Sequence, residues 1–189
     1  MIARAILEFK LIEDGDNIIV GFSGGKDSSF LLYALKTIQH HIDLNFEFSA
    51  ITIDPIFNDN FDHTPLKKYC DKLNVKYYKK EIIRNKKTPD IKNIDNPCSM
   101  CSYLRKGAIV DFMKKQGFNK LAYGHHYDDA VETFLMSQLF SGQIKTFPPK
   151  RYLPENDVFI IRPLIYIREK HIKQVNQELN YNPVSNSCP

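Results

Sequence analysis

Residues 17–38 read NIIVGFSGGKDSSFLLYALKTI: a β-rich apolar run, a loop of glycine and serine, and a stretch that is apolar almost all round. That succession asks for a strand, a tight turn and a helix buried against the strand. Four more β-rich runs follow at residues 48–54, 75–82, 120–125 and 158–164, each short and of the kind that fills a parallel sheet. Between them lie helical patterns. One begins at Asp62, with Pro65 and Leu66 behind it, and runs to about Leu73; another, over residues 128–140, sets Val131, Phe134, Leu135 and Leu139 on one stripe. The alternation predicts an α/β fold, a doubly wound and mainly parallel five-stranded sheet with helices on both faces, and ligands beyond the carboxyl ends of its strands. Two segments, Arg84–Pro97 and Ser141–Asp157, are rich in Pro, Asn, Asp and Lys and read as long loops.

A chain of 189 residues suits one domain, with a core large enough to dispense with disulfide staples. No apolar run approaches the ~20 residues of a membrane span, and acidic residues arrive too early for a secretory signal, so the cytoplasm is the expected location. In that compartment Cys70, Cys98, Cys101 and Cys188 point to metal or redox chemistry before disulfides. A net charge of +4 permits a nucleic-acid partner without requiring one. The basic residues cluster at Lys76, Lys79, Lys80, Arg84, Lys86 and Lys87, and again at Lys145, Lys150 and Arg151; a solvated face explains either cluster equally well.

The glycine loop fits neither common phosphate pattern. A Walker A loop needs glycine where Val20 stands and Ser or Thr where Asp27 stands, and the dinucleotide pattern needs a third glycine that is missing. The parts of an anion site are nonetheless present: a strand end, small residues whose N–H groups can converge, and a helix N-terminus. Bare phosphate would repel Asp27, so its presence calls for a divalent cation between carboxylate and phosphate, and hence for a nucleotide with Mg²⁺. A plain strand-to-helix turn would leave Ser23, Lys26, Asp27 and Ser28 unexplained together.

Cys98 and Cys101 open a predicted helix, and Cys188 stands at the other end of the chain. Cys70 shares an apolar helix face with Leu66, Tyr69 and Leu73 and reads as core. Three thiolates with an open position suit either a [4Fe–4S] cluster or a catalytic zinc, and the residues alone do not separate the two. Gly124-His125-His126-Tyr127-Asp128-Asp129 lies at a strand end; both aspartates can cap the next helix and assist Mg²⁺.

Ser23-Gly24-Gly25-Lys26-Asp27-Ser28 resembles the PP-loop of the ATP pyrophosphatases, which cleave ATP between its α- and β-phosphates. The resemblance narrows to the tRNA 2-thiocytidine synthetase branch through features in matching order over nearly the whole chain. After the PP-loop come Cys98 and Cys101 with Arg105 and Lys106, then Gly124 to Asp129, Pro148-Pro149-Lys150, Arg162-Pro163-Leu164 and the late Cys188. It implies that Ser23, Gly24, Gly25, Lys26, Asp27, Ser28, Asp54, Gly124 and His125 bind ATP. It implies further that Lys26, Asp27, Arg105, Asp128 and Asp129 serve catalysis, and that Cys98, Cys101 and Cys188 ligate a [4Fe–4S] cluster, with zinc as the lesser alternative. Its partners would be tRNA and a sulfur donor such as a cysteine desulfurase or free sulfide, with room for a homodimer. One PP-loop domain would span residues 1–189, truncated at its C-terminus, since relatives continue where this chain ends one residue after Cys188. The implied reaction is adenylation of a pyrimidine carbonyl in tRNA and replacement of its oxygen by sulfur. Two rival readings are adenylation of a small molecule without tRNA, and a nucleotide-binding regulatory module without turnover.

Overall fold

The computed structural model describes residues 1–53, 62–81, 97–181 and 183, with the backbone alone at 97–99. In chain order the elements are α1 (Ile2–Glu8), β1 (Asn17–Gly21), α2 (Lys26–Ile38), β2 (Glu47–Ile53), α3 (Thr64–Lys72) and β3 (Lys76–Lys80). Then follow α4 (Pro97–Gln116), β4 (Lys120–Ala122), α5 (Tyr127–Ser141), β5 (Lys150–Leu153), β6 (Val158–Ile161) and α6 (Glu169–Glu178). The strands lie in the order β3-β2-β1-β4-β6-β5. Five are mutually parallel, with Gly21 beside Ile51 and Val20 beside Ala122, while β5 runs antiparallel to β6.

All five expected strands are present, and a sixth corrects the reading of residues 141–157 as loop. Its physical reason is its place at the edge. β5 buries neither face fully, so KRYL carries no apolar alternation, and what makes it a strand is the ladder to β6. The other predicted loop, Arg84–Pro97, lies outside the described residues up to Pro97, which opens α4.

Two cores sandwich the sheet, as a doubly wound fold requires. On one face Ile18, Val20, Ala50 and Ala122 meet Ala5 and Ile6 of α1, Leu31, Leu32 and Leu35 of α2, Leu66 and Cys70 of α3, and Ile172 of α6. On the other face Ile19, Ile51 and Leu121 meet Ile109, Val110 and Met113 of α4. Cys70 is a core residue, as its helix face suggested, and burial pushes its thiol up to about 12.

Helix α5 departs from expectation. An apolar helical stripe ordinarily faces a core, but no residue of α5 is fully buried, and Val131, Leu135 and Leu139 are exposed, Leu139 to 79%. The helix meets the first core through Ala130, while Leu164, Ile165 and Ile167, in the turn after β6, complete that core in its place.

At the amino edge of the sheet, Lys120 is 2% exposed and would be costly if unpaired. Asp16 at 2.6 Å and Glu13 at 2.9 Å neutralise it. Lys150 joins the same cluster through Glu13, so part of the second basic cluster is consumed by structure.

Candidate functional site

The sheet reverses its winding between β1 and β4, the point at which a doubly wound fold leaves a crevice. A cavity of about 520 Å³ opens there. Gly21, Phe22, Ser23, Gly25, Asp27 and Ser28 come to it from β1 and the glycine loop, and Tyr123, Gly124, His125 and Asp129 from the end of β4 and the start of α5. Cys101, Arg105 and Lys106 reach it from α4, and Ile51 and Ile53 supply an apolar wall.

Local sequence explains the loop. Gly24 has φ of 80°, which glycine alone adopts without strain. Ser28 and Ser29 donate through Oγ to the Gly25 carbonyl, tying the first turn of α2, and Ser23 Oγ accepts from the Gly25 N–H. The N–H groups of that first turn have no intrahelical acceptors and carry the positive end of the helix dipole. Gly124 is needed for a different reason: a Cβ there would lie 2.9 Å from the backbone carbon of Asp27, so the β4 end and the loop touch backbone to backbone.

Lys26 pairs with Asp27 at 2.9 Å and with Glu169, at the start of α6, at 3.2 Å. Partial burial would lower its ammonium, but the two carboxylates outweigh this and hold it above the usual range. Lys26 is therefore charged at neutral pH and paired with two carboxylates. Asp27 Oδ1 is buried and accepts no hydrogen bond; His126 Nε2 stands 3.7 Å away. A buried carboxylate oxygen in that condition suits a divalent cation. Among the described residues, no group of three His, Cys, Asp or Glu is disposed to hold a metal by itself, so such a cation would need ligands from a bound phosphate.

The two aspartates of α5 divide. Asp129 lines the cavity and forms a reciprocal cap with His126, accepting from its N–H at 2.8 Å. Asp128 instead accepts from the Glu169 N–H at 2.7 Å and pairs with Arg168, tying α6 to α5. His125 has a buried Nδ1 without a hydrogen-bond partner, and burial followed by the nearby Arg162 depresses its imidazole below the usual range, so it is neutral at pH 7. Arg162 stacks 4.7 Å from the Phe147 ring centroid and donates to the Pro148 carbonyl, which seats the Pro-Pro-Lys segment behind His125. Arg105 presents a buried Nε with no hydrogen-bond partner.

Cys101, 3% exposed, lies in the cavity wall. Cys98 falls in the first turn of α4, and Asp54 and Cys188 lie outside the described residues. The structure thus brings Ser23, Gly25, Asp27, Ser28, Gly124, His125, Asp129, Cys101 and Arg105 around one cavity, with Lys26 beside it and Asp128 turned away. Sequence reasoning missed Glu169, Asn176 and Tyr181, which reach the glycine loop from α6 and the residues after it.

The family model described as a PP-loop domain matches residues 2–186. The chain belongs to the PP-loop family. Similar curated proteins are tRNA-cytidine(32) 2-sulfurtransferases. The one from Geobacter sulfurreducens is 35% identical across the whole chain, which spans 73% of that relative. The one from Ralstonia pickettii is 39% identical over 95% of the chain, which spans 57% of it. The same fold is seen in the U34-tRNA thiolase NcsA from Methanococcus maripaludis, solved with its [4Fe–4S] cluster. The TM-score is 0.79 and the identity 23%, with all of this chain and 65% of the other covered. A phosphoadenylyl-sulfate reductase from Candida auris also matches, at TM-score 0.62 and 11% identity, over 95% of this chain and 80% of its own. In this chain the loop from Ser23 to Ser28 opens on a cavity that Cys101 also lines.

Proposed function

We propose that the chain is the PP-loop domain of an ATP-dependent tRNA 2-thiolation enzyme acting on a cytidine. The observation that carries this reading is one cavity joining the anion-binding loop to Cys101 and Arg105. Nucleotide activation and sulfur delivery can then act on the same atom. The relatives' names supply the substrate class.

The C2 oxygen of cytosine leaves poorly, so it is first adenylated. The oxygen attacks the α-phosphorus, the bond to the bridging oxygen breaks, and pyrophosphate leaves. The N–H groups of the PP-loop and the Lys26 ammonium stabilise charge growing on that pyrophosphate, and Asp27 is the residue that would hold a Mg²⁺ to neutralise it further. Arg105 and Lys106 face the adenylated base. Sulfide then attacks C2, and AMP departs with the original oxygen. Asp129 and neutral His125 border the space where the base is turned out of its loop.

The thiols of Cys98, Cys101 and Cys188 are the donor type that a [4Fe–4S] cluster takes, with Cys188 outside the described residues. The first two lie three residues apart in α4, hence on one helix face, and Cys101 reaches the cavity. Such a cluster would be held by those thiolates and would supply the chemistry of sulfur delivery. The four neighbouring contributions, from the loop, α4, β4 and α5, are the chain's own.

The test is to supply ATP, Mg²⁺, tRNA and sulfide without oxygen and to identify the products. The expected set is AMP, pyrophosphate and a 2-thiocytidine in digested tRNA. ADP with orthophosphate would overturn the adenylation chemistry, and pyrophosphate release that is indifferent to tRNA would move the substrate to a small molecule.

A further inference from the structure

The PP-loop is gripped from behind. Tyr181 Oη donates to the Gly24 carbonyl at 2.8 Å, and Asn176 Nδ2 donates to the Lys26 carbonyl at 3.0 Å. Neither side chain lines the cavity. Tyr181 is half-buried and its ring lies 4.5 Å from that of Tyr69, whose own hydroxyl donates to the Ser29 carbonyl at 3.0 Å. Three carbonyls around the loop are thereby bound by side chains from α3, α6 and the residues after α6.

The direction of these bonds has a chemical meaning. In a trans peptide the carbonyl and the next N–H point opposite ways. Drawing the Gly24 and Lys26 carbonyls outward therefore turns the Gly25 N–H toward Ser23 Oγ, 3.3 Å away in the cavity wall, and the Asp27 N–H toward the anion site. Gly24, at φ of 80°, lacks the side chain that would resist a peptide flip. A flipped Gly24 peptide would present a carbonyl oxygen to phosphate. Asn176 adds a second indication. It is 5% exposed, and its Oδ1 is buried without a hydrogen-bond partner, so an apolar residue of the same size would serve stability better. What the amide provides is its bond to Lys26.

We propose that Tyr181 and Asn176 are positioning residues of the pyrophosphate loop, holding the Gly24 and Lys26 carbonyls away from the site so that its N–H groups face the anion before it arrives. The proposal rests on the reading of the loop as a pyrophosphate site.

Two variants test it by calorimetric titration of the whole chain with inorganic pyrophosphate in Mg²⁺ and, separately, with adenosine. Tyr181→Phe keeps the ring against Tyr69 and removes the bond to Gly24. Asn176→Leu keeps the number and branching of the side-chain heavy atoms and removes the bond to Lys26. Each is expected to weaken pyrophosphate about three- to ten-fold, the effect of one lost hydrogen bond, and to leave adenosine unchanged. Asn176→Leu should also melt no lower than wild type, so that binding and stability part company. If the wild type binds pyrophosphate and both variants bind it equally well, the positioning role is wrong. A parallel weakening of pyrophosphate and adenosine also overturns it, because that is what general loosening produces. A wild type that does not bind pyrophosphate removes the loop reading, and this inference with it.

Discussion

Helices α2 and α5 both start at the carboxyl edge of the sheet, the first after β1 and the second after β4, and both turn their first residues to the cavity. Both are rich in Leu and Phe. Yet α2 buries Phe30, Leu31, Leu32, Ala34 and Leu35, whereas α5 buries nothing fully and leaves Leu139 and Phe140 about four-fifths exposed. The difference lies in what surrounds each helix. α2 is enclosed between β1 and α6, with Asn176 and Tyr181 fastening its leading loop. α5 is capped at its own ends by His126–Asp129 and the left-handed Gly142, and it is attached near its start, through Ala130 to the first core and Asp128 to α6. An apolar helix body thus does not say whether it is enclosed; its neighbours decide.

Leu35 separates the two helices most sharply. Leu35→Ala should cost about 2–5 kcal/mol in urea unfolding, because a fully buried leucine leaves a cavity. Lys26→Ala comes next. It should lower AMP and pyrophosphate formation about 10²–10³-fold, as loss of one oxyanion-directed group does, with little change in melting temperature. Loss of turnover and stability in equal measure would make the loop a structural turn instead. At the head of α5, Asp129→Ala should cost about 0.5–2 kcal/mol by removing the reciprocal cap. The same region gives a pH signature. His125 has a folded value below its ordinary 6.5, so the unfolded chain takes up the proton first. Its contribution to stability is present above pH 6.5 and is lost as pH falls below it. His125→Gln should flatten that part of a stability–pH curve; an unchanged slope would place the titration elsewhere. The smallest effect belongs to Leu139→Ser, within about 0.5 kcal/mol, since the side chain is 79% exposed. A large loss there would mean that α5 is covered in solution.

Local signals carried much of this fold. β1, β2, β4 and β6 were legible because they are largely apolar where they are buried, β3 because Tyr77 and Tyr78 are β-prone although no residue of it is fully buried, and the PP-loop because its residue types serve no other purpose together. β5 was not, since an edge strand with both faces partly wet leaves no alternation to read. The burial of α5 could not be judged from its own stripe, because Leu164, Ile165 and Ile167 fill the core in its place from a distant segment. Among site residues, Asp27, His125, Asp129, Cys101 and Arg105 sit in motifs and converge on the cavity. Asn176 belongs to no motif; its partner lies 150 residues earlier. The one available clue was an amide on the same helix face as Ile172, where an apolar residue is expected.

The bond from Tyr181 to Gly24 joins residues 157 apart. On a ribosome adding about 5–20 residues per second, that separation is roughly 8–30 s of synthesis. Through that interval the nascent glycine loop exists without its rear anchor.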